Sequence, residues 1–300
     1  MNDHETTKTR GERIHRAVSR DGTEIVGRVR GQGAPLVLVP GGPGDSETTW
    51  RSLLPLLRDH FTCYAMDTRG RGLSGDHPDH SPERLVEDIT TYVESIGEPV
   101  GLVSAGNVEW PLVAAQDTSS LAAVAAWEPI FETVRDKEGK AVLEDVFARV
   151  GARAAEGRLD EAARVWVDGL AAPGFYTTPE DTVDGAAPAF WQASAANIPL
   201  FVHQVQLEIE SDGPDPADPS VLAQVTVPAL LLHGSRTHHA HVAFVHHAAR
   251  HLPDAQVREI AGAGHFGFYT EPQAVAGELL RFFGAAHQQP AVYASQGERL

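Results

Sequence analysis

Residues 100 to 110 decide the fold, and they read Val100-Gly101-Leu102-Val103-Ser104-Ala105-Gly106-Asn107-Val108-Glu109-Trp110. The first four residues form a short apolar run, as in a strand that is buried on both faces of a parallel sheet. Small residues and an asparagine follow the run, which indicates a tight turn. The stretch therefore predicts a buried strand that turns sharply into a helix.

Upstream segments repeat this alternation of strand and helix. Residues 13–18 and 24–29 alternate in polarity around Asp21-Gly22, which predicts a hairpin. Two further apolar runs, 35–40 and 61–67, predict buried strands, and we expect helices over 50–58 and 82–96. Strands that alternate with helices favour a mainly parallel sheet with right-handed crossovers.

Three glycine-rich motifs accompany the 100–110 stretch. A Gly41-Gly-Pro-Gly44 loop follows one strand, Asp67-Thr-Arg-Gly-Arg-Gly-Leu-Ser74 follows the next, and Gly262-Ala-Gly-His-Phe266 lies near the end. In this order and spacing, the four motifs resemble the α/β-hydrolase superfamily over about residues 12 to 285. The resemblance implies an α/β fold, with a mainly parallel eight-stranded sheet flanked by helices and a helical cap insertion. We interpret the Asp67 loop as a structural network that braces the site.

The resemblance also implies a division of the chain. We expect the hydrolase core over 13–129 and 221–285, with a flexible N-terminus (1–12) and a C-terminal tail (286–300). Residues 130–220 would form the helical cap. Within that insertion, helical spacing of apolar residues predicts helices over 140–150, 161–170, Phe190-Trp191 and 198–209.

The turn after residue 103 corresponds to the nucleophile elbow of the family, which normally carries Gly-x-Ser-x-Gly. Aligned on the apolar pair Leu102-Val103, Gly106 occupies the position of the serine nucleophile, so the nucleophile is missing. The alternative alignment makes Ser104 the nucleophile, but it shortens the strand and places Leu102 where a small residue is needed. Both alignments stay open.

The histidine of the family's triad corresponds to His265, whereas the usual acid position is occupied by Thr237. Some relatives carry the acid one strand earlier in the sheet, and in this sequence Glu128 stands at the end of that earlier strand. We therefore expect a His265–Glu128 dyad in which the carboxylate orients the imidazole and supports its protonated form. The alternatives are a buried structural histidine and a glutamate that merely ends its strand.

Other site residues follow from position in the family pattern. The backbone N–H groups of Gly42 and Asn107 would form an oxyanion hole. Glu109 would contact substrate or stabilise the helix N-terminus, and Trp110 would line the pocket or belong to the core. The remaining expected pocket residues are aromatic, and each has core packing as its alternative: Trp166, Phe175, Tyr176, Phe190, Trp191 and Phe266.

A histidine-rich segment, 238–251, invites a metal interpretation, but neither a carboxylate nor a cysteine completes a ligand set within it. We expect no metal site and a solvated helix there. Cys63 is the sole cysteine, which leaves no internal disulfide. No cofactor is expected either, because Gly262-Ala-Gly264 precedes a catalytic-type histidine instead of opening a nucleotide-binding unit.

The amino-acid composition limits the classes of binding partner. The chain carries 24 Lys and Arg against 41 Asp and Glu, a formal charge of −17, which disfavours nucleic acid and anionic membranes. Its N-terminus lacks the apolar segment of a secretion signal, so we expect a cytoplasmic protein with a small-molecule substrate. The sequence leaves open whether the protein forms a homodimer. The composition, rich in alanine and arginine, suggests a bacterial source.

These observations lead to three hypotheses. The first is a cofactor-free enzyme in which a His–Glu dyad transfers protons, with lyase, cyclase, decarboxylase or oxygenase-like chemistry in natural-product tailoring. The second is ester or epoxide hydrolysis by Ser104 or an activated water. The third is a non-catalytic protein that binds a small molecule in the capped pocket.

Overall fold

A computed structural model describes residues 13–105, 110–134, 137–170 and 188–286. Eight strands form one sheet, in the order β1-β2-β4-β3-β5-β6-β7-β8. Their bounds are β1 Arg13–Val18, β2 Glu24–Gly31, β3 Ala34–Val39, β4 Phe61–Met66, β5 Val100–Ala105, β6 Leu121–Trp127, β7 Ala229–Gly234 and β8 Ala255–Ile260. The predicted eight-stranded, mainly parallel sheet is confirmed.

Strand pairing follows the hydrophobic pattern. The alternating segments β1 and β2 pair as an antiparallel hairpin, and β2 also pairs antiparallel with β4. The remaining neighbours, from β4 through β8, are parallel. Every residue of β5 is buried, as its continuous apolar run predicts. The carboxyl ends of the parallel strands therefore meet at one edge, where side chains that follow different strands come together.

Eleven helices are described, together with a 3₁₀ turn at Glu132–Val134. Their bounds are α1 Ser46–Thr49, α2 Leu54–Leu57, α3 Pro82–Glu94, α4 Trp110–Asp117, α5 Lys137–Ala155, α6 Leu159–Leu170, α7 Pro188–Glu210, α8 Pro219–Leu222, α9 His239–His251, α10 Gly267–Thr270 and α11 Pro272–Ala286. Within the described part of the chain, no helix combines the length and apolar character needed to cross a bilayer.

Two helix predictions are wrong in detail. Within the range 50–58, where one helix was predicted, only the short helix α2 forms, with Pro55 in its first turn, and α1 lies before this range with Asp45 as its N-cap. The segments 190–191 and 198–209, which were predicted as separate helices, both belong to α7, one helix of 23 residues with Pro199 inside it. Proline removes one backbone hydrogen bond, and the buried residues on both sides, Ile198 and Phe201, retain the helix through packing.

The two faces of the sheet carry separate apolar cores. Along β5, Leu102 belongs to one core and Val103 to the other, as alternation requires. Gly101 allows α11 to approach closely, since a Cβ there would lie 2.7 Å from the ring of Phe283 and from Leu36. Helices therefore cover both faces and leave the strand ends to form the site.

Helices α5, α6 and α7, here called the helical insertion, share a third apolar core. The rings of Trp166 and Phe201 lie 4.6 Å apart in its centre. Helix α7 also joins the insertion to the sheet, because Asn197 Nδ2 donates to the carbonyl of Pro43 at 2.9 Å. The insertion thus rests on the loop that follows β3.

Candidate active site

Glu128 follows β6 directly and is fully buried, with 0% of its surface exposed. Its φ angle is +45°, the one positive value at a non-glycine position among the described residues. The backbone N–H of Glu128 donates to the Leu232 carbonyl at 2.9 Å, which fixes this conformation from β7. Residues held in this sparsely populated region concentrate at functional sites, where surrounding contacts offset the strain.

The Glu128 carboxylate is bound by groups from two other strand ends. Oε1 accepts a hydrogen bond from the Gly234 N–H at 2.9 Å, and Oε2 accepts one from Thr237 Oγ1 at 2.9 Å. His265 Nδ1 lies 2.7 Å from Oε2. Burial alone raises the pKa of Glu128, but the hydrogen bond with His265, the nearby His241 and the Gly234 N–H together hold the pKa below its ordinary value. The carboxylate is therefore ionised at neutral pH.

His265 lies in the loop between β8 and α10 and is 4% exposed. Trp127 Nε1 donates to its backbone carbonyl at 2.6 Å, so β6 holds both the main chain and, through Glu128, the ring. An ionised carboxylate can only accept, so the contact assigns the proton of a neutral imidazole to Nδ1. The lone pair then sits on Nε2, which is the form that a general base requires.

Thr237 and the Glu128 carboxylate lie together at the ends of neighbouring strands. The sequence placed a neutral residue where the family carries an acid, and the structure shows that its hydroxyl binds the carboxylate arriving from the neighbouring strand. Because β6 and β7 are parallel neighbours, their ends lie side by side. An acid after either strand can therefore occupy the same space.

His241 is a site residue that the sequence interpretation missed. It lies in the first turn of α9, is 3% exposed, and stacks on His265 with ring centroids 4.4 Å apart and planes inclined by 22°. The expected solvated helix is wrong for this histidine. The missed signal was its position in the first turn after β7, which places one face of α9 against the strand ends.

Glu128, His241 and His265 bring ligand-type atoms within 4.8 Å of one another, so a carboxylate does join two histidines in space. This cluster was not predicted, because only ligands within the segment 238–251 were considered. The two carboxylate oxygens already accept hydrogen bonds from Gly234 and Thr237. In this arrangement the cluster is a hydrogen-bonded acid with two imidazoles, and the prediction of no metal stays a prediction.

His265 lines a small cavity of about 40 Å³ at the strand ends. It is also lined by Gly42, Ala105 and Tyr269, and by three of the predicted pocket residues: Trp166, Phe190 and Phe266. Gly42 has φ +55°, a conformation that favours glycine. Trp110 instead lines a larger cavity that also touches Trp166, and Trp191 packs beneath the guanidinium of Arg164 at 4.4 Å.

Arg71 is a second residue that the sequence interpretation did not single out. Its buried guanidinium donates through Nη1 to the Gly42 carbonyl at 2.5 Å and through Nη2 to Gln204 Oε1 at 2.5 Å. Burial lowers the pKa of Arg71 to about 10, although Asp45 and Asp67 act in the opposite direction. Arg71 thereby connects α7 of the helical insertion to the loop of Gly42.

Ser104 lies inside β5, where it pairs with Val39 on one side and Ala126 on the other, and it is buried. Its neighbour Ala105, on the opposite face of the strand, is the residue that lines the His265 cavity. The predicted elbow residues Gly106, Asn107 and Glu109, and the pocket residues Phe175 and Tyr176, lie outside the described residues. The choice between the two elbow alignments stays a prediction.

The fold and these strand ends define the class of protein. A model of the alpha/beta hydrolase family matches residues 36–278, so the chain belongs to the alpha/beta hydrolase family. An alpha/beta hydrolase from Sphaerobacter thermophilus DSM 20745 has a similar structure, with a TM-score of 0.73 and 25% identity, over 90% of this chain and 100% of that chain.

Two curated relatives match a shorter segment. A 2-hydroxy-6-oxo-6-(2'-aminophenyl)hexa-2,4-dienoic acid hydrolase from Metapseudomonas resinovorans is 29% identical over 87 residues, 28% of this chain and 30% of the relative. A pyrrolizixenacetamide deacetylase from Xenorhabdus hominickii is 35% identical over 75 residues, 25% of this chain and 27% of the relative. The chain thus matches less than a third of the length of either relative.

Proposed function

We propose that the protein is a cofactor-independent enzyme in which His265, oriented by Glu128, transfers a proton without an acyl-serine intermediate. The observation that carries the proposal is the 2.7 Å contact between His265 Nδ1 and Glu128 Oε2, both buried. An ionised partner at Nδ1 supports a basic Nε2 and stabilises the imidazolium that forms when Nε2 takes a proton. This constellation supplies proton transfer by itself.

In the proposed step, Nε2 of His265 removes a proton from a carbon or oxygen of the substrate. The electron pair moves onto a substrate oxygen, and the N–H groups of Gly42 and Asn107 stabilise that oxyanion. The same imidazolium returns the proton to another atom of the substrate or to the leaving group. Positioned acid-base catalysis of this kind contributes about 10²- to 10⁴-fold in rate, sufficient for a substrate that is already activated.

The reaction classes that need only such acid-base catalysis from the protein are elimination, cyclisation, decarboxylation with release of CO₂, and oxygenation of a carbanion in which dioxygen is the co-substrate and oxidant. A role in natural-product tailoring belongs to this proposal and rests on analogy with other members of the fold. In the proposed mechanism, residues 130–220 act as a cap that excludes water from the His265 cavity. Two hydrogen bonds of α7 with the core, Asn197 to Pro43 and Arg71 to Gln204, support that role.

Hydrolysis by an activated water is the second candidate, and the curated relatives favour it. Their names describe a hydrolase and a deacetylase, both of which consume water. Here His265 would deprotonate a water molecule that attacks an ester or amide carbonyl, again without Ser104. The position of Ser104 inside a paired strand argues against it as the nucleophile, because a nucleophile of this family stands on the turn after the strand.

The test follows proton removal directly. Wild type, His265→Ala and Ser104→Ala are incubated in D₂O with a panel of ketones and β-keto esters, and deuterium uptake above the buffer rate is read by mass spectrometry. Aryl esters in the same buffer report hydrolysis. We expect wild-type exchange that His265→Ala abolishes and Ser104→Ala retains.

Three other outcomes would contradict the proposal in different ways. Equal loss in both variants would assign catalysis to Ser104. Ester cleavage that depends on His265, without any exchange, would favour the water mechanism. Saturable binding of panel members without product or exchange, unchanged in His265→Ala, would indicate a ligand-binding protein.

A further inference from the structure

Two arginines of the loop 67–74 are buried in contrasting ways. Arg69 is 0% exposed, and its guanidinium donates to the Asp88 carboxylate at 2.6 and 2.7 Å and to the Asp21 carboxylate at 2.9 Å. Arg71 is 4% exposed, yet it forms no ion pair within the described part of the chain. Its pKa of about 10 leaves it charged at neutral pH. Because a buried charge is normally paired, the unpaired charge of Arg71 indicates a functional role.

The guanidinium of Arg71 contacts the loop that lines the His265 cavity. Nη1 donates to the Gly42 carbonyl and Nη2 to Gln204 Oε1, both at 2.5 Å, whereas Nε has no acceptor. The carboxylates of Asp45 and Asp67 act on Arg71 from a greater distance. Both have other partners, since Asp45 caps α1 and Asp67 accepts from two backbone N–H groups. The positive charge therefore remains available to an anion that forms beside the loop.

Both peptide groups that flank Gly42 are fixed. The Gly44 N–H donates to the Gly41 carbonyl at 3.1 Å, which orients the first peptide and with it the Gly42 N–H. Arg71 holds the Gly42 carbonyl on the second peptide. Gly42 has φ +55° and no Cβ, so without this contact its carbonyl would be free to turn toward the cavity and repel an oxyanion. Arg71 thus fixes the conformation on which an oxyanion hole at Gly42 depends.

A chain of hydrogen bonds holds Arg71 in place, and its direction is determined by the guanidinium. Because a guanidinium only donates, Gln204 presents Oε1 to Arg71 and Nε2 to the other side. There Gln204 Nε2 lies 3.4 Å from His80 Nδ1, and His80 Nε2 lies 2.9 Å from Asp76 Oδ1. His80 therefore accepts at Nδ1 and donates at Nε2. Since Gln204 belongs to α7, the helical insertion presses Arg71 against the loop of Gly42.

We propose that Arg71 is a positioning residue of the oxyanion hole: it fixes the Gly42 peptide and places an unpaired positive charge near the substrate oxygen that becomes negative when His265 removes a proton. The proposal rests on the proposed function, because the anion is taken to be the intermediate of that reaction. It makes the substrate a carbonyl compound whose intermediate is an enolate or a related oxyanion. Buried charges interact strongly over a few ångströms, so Arg71 acts on this intermediate without touching it.

The first test separates rate from binding. Arg71→Gln removes the charge but retains a donor for the Gly42 carbonyl. We expect the maximal rate of deuterium exchange to fall about 10²-fold, as for the loss of an oxyanion-hole donor. The ketone concentration at half-maximal rate should change less than about threefold, because the neutral ketone lacks the charge. Arg71→Lys retains the charge and should recover about tenfold of the rate. A loss confined to the half-maximal concentration would overturn the proposal.

Two changes at Gln204 separate the charge of Arg71 from its link to α7. Gln204→Glu retains an acceptor for Nη2 but neutralises the guanidinium, whereas Gln204→Met removes the acceptor and leaves the charge. His80 can adapt to the new carboxylate by carrying its proton on Nδ1, since its other partner, Asp76, is 72% exposed. We expect Gln204→Glu to lose about tenfold in maximal exchange rate and Gln204→Met to lose less. A larger loss in Gln204→Met would make Arg71 a structural link only.

The Gln204 variants also decide the matter if Arg71→Gln fails to fold, which thermal unfolding of each variant checks. A planar anion then tests the charge without turnover. 4-Nitrophenol absorbs at different wavelengths as phenol and as phenolate, so absorbance reports which form is bound. Arg71→Gln and Gln204→Glu should weaken binding of the phenolate about tenfold relative to wild type and leave binding of the phenol within about threefold. Equal affinity of wild type and both variants for the phenolate would contradict the proposal.

Failure of this inference is separable from failure of the proposed function. Phenolate binding that depends on Arg71, without deuterium exchange in wild type, would retain the oxyanion site and reject proton transfer by His265. Exchange that depends on His265 but changes less than about threefold in Arg71→Gln and Gln204→Glu would retain proton transfer and reject the role of Arg71.

Discussion

Two buried carboxylates stand at the ends of parallel strands and are bound in different ways. Asp67, after β4, accepts hydrogen bonds from the N–H groups of Ser46 at 2.8 Å and Leu73 at 2.9 Å, and from Arg28 Nη1 at 3.3 Å. Glu128, after β6, is bound by the Gly234 N–H, the Thr237 hydroxyl and the His265 ring. Both are 0% exposed.

The difference lies in what each carboxylate binds. Backbone amides and a guanidinium act only as hydrogen-bond donors to Asp67, so this carboxylate holds three chain segments together. An imidazole can act as a general acid or base, and His265 also lines a cavity. The two pKa values move in opposite directions: burial raises the pKa of Asp67, whereas the partners of Glu128 outweigh its burial and lower the pKa. Similar burial therefore serves two purposes.

The largest effect is expected from Glu128→Gln. The amide retains the size of the side chain but presents an N–H₂ group, so the imidazole loses its fixed tautomer and its counter-charge. We expect His265-dependent exchange to fall about 10³- to 10⁴-fold, which corresponds to ~4–5 kcal/mol of transition-state stabilisation. The initial rate of deuterium uptake measures it.

Asp67→Asn is the matched control for that variant, since it makes the same chemical change at the other buried carboxylate. Exchange per folded molecule should stay near the wild-type rate. A comparable loss in both variants would contradict the division between a structural acid and a functional one.

For the free energy of unfolding, in contrast to the exchange rate, we expect a clear loss from the change at Asp67. Asp67→Asn replaces an acceptor of two backbone N–H groups and leaves Arg28 without its buried partner, so we expect a loss of about 3 kcal/mol in the free energy of unfolding. Urea denaturation followed by circular dichroism measures it. Because Arg28 also contacts Glu47, Glu47→Gln serves as a control and should cost under about 1 kcal/mol.

Thr237→Val should have a smaller effect than either change. It removes one hydrogen bond to the Glu128 carboxylate at nearly constant volume, which costs about 1.5 kcal/mol for a bond to a charged group. We expect that loss in urea denaturation, together with a reduction of about tenfold in exchange. Thr237→Ser retains the hydroxyl and should recover most of both; failure to recover them would assign the effect to the lost methyl group.

The smallest effect is the opposite pH dependence of the two acids. The folded-state pKa of Glu128 is lowered, so its contribution to stability is present above the ordinary carboxyl pKa and is lost as pH falls through the folded value. The folded-state pKa of Asp67 is raised, so the pH-dependent part of its contribution is largest below the ordinary pKa and decreases as pH rises through the folded value.

Removing each acid should therefore change the pH profile in opposite directions. Over about pH 3 to 6, stability should rise with pH less steeply in Glu128→Gln and more steeply in Asp67→Asn than in wild type. Urea denaturation at each pH measures the slopes. Slopes that change in the same direction would contradict the opposite pKa shifts.

The sheet was predictable because continuous apolar runs such as β3 and β5 leave few alternatives to a parallel, doubly covered sheet. The approach of Glu128 to His265 was predictable for a related reason, since both follow strands whose carboxyl ends share one edge. Helix bounds were less predictable: only α2, with Pro55 in its first turn, forms within the predicted helix 50–58, whereas packing retains α7 across Pro199. The local sequence pattern does not indicate how strongly tertiary packing stabilises a helix.

His241 and Arg71 were missed because their roles depend on neighbours that are distant in sequence. His241 stands among exposed and half-buried histidines of α9, and its burial and its stacking on His265 distinguish it. Arg71 meets Gln204 of α7, 133 residues away. Side chains whose partners come from another element carry no local signal, so sequence reasoning identifies strand-end residues better than the residues that surround them.

A fluorophosphonate probe read by intact-protein mass spectrometry tests whether the chemistry proceeds from His265 without a serine nucleophile. Wild type should remain unlabelled, whereas Gly106→Ser, which restores a hydroxyl at the predicted nucleophile position, should be labelled, and Gly106→Ser/His265→Ala should lose that labelling. Stoichiometric labelling of wild type at Ser104, or no labelling of Gly106→Ser, would contradict the account.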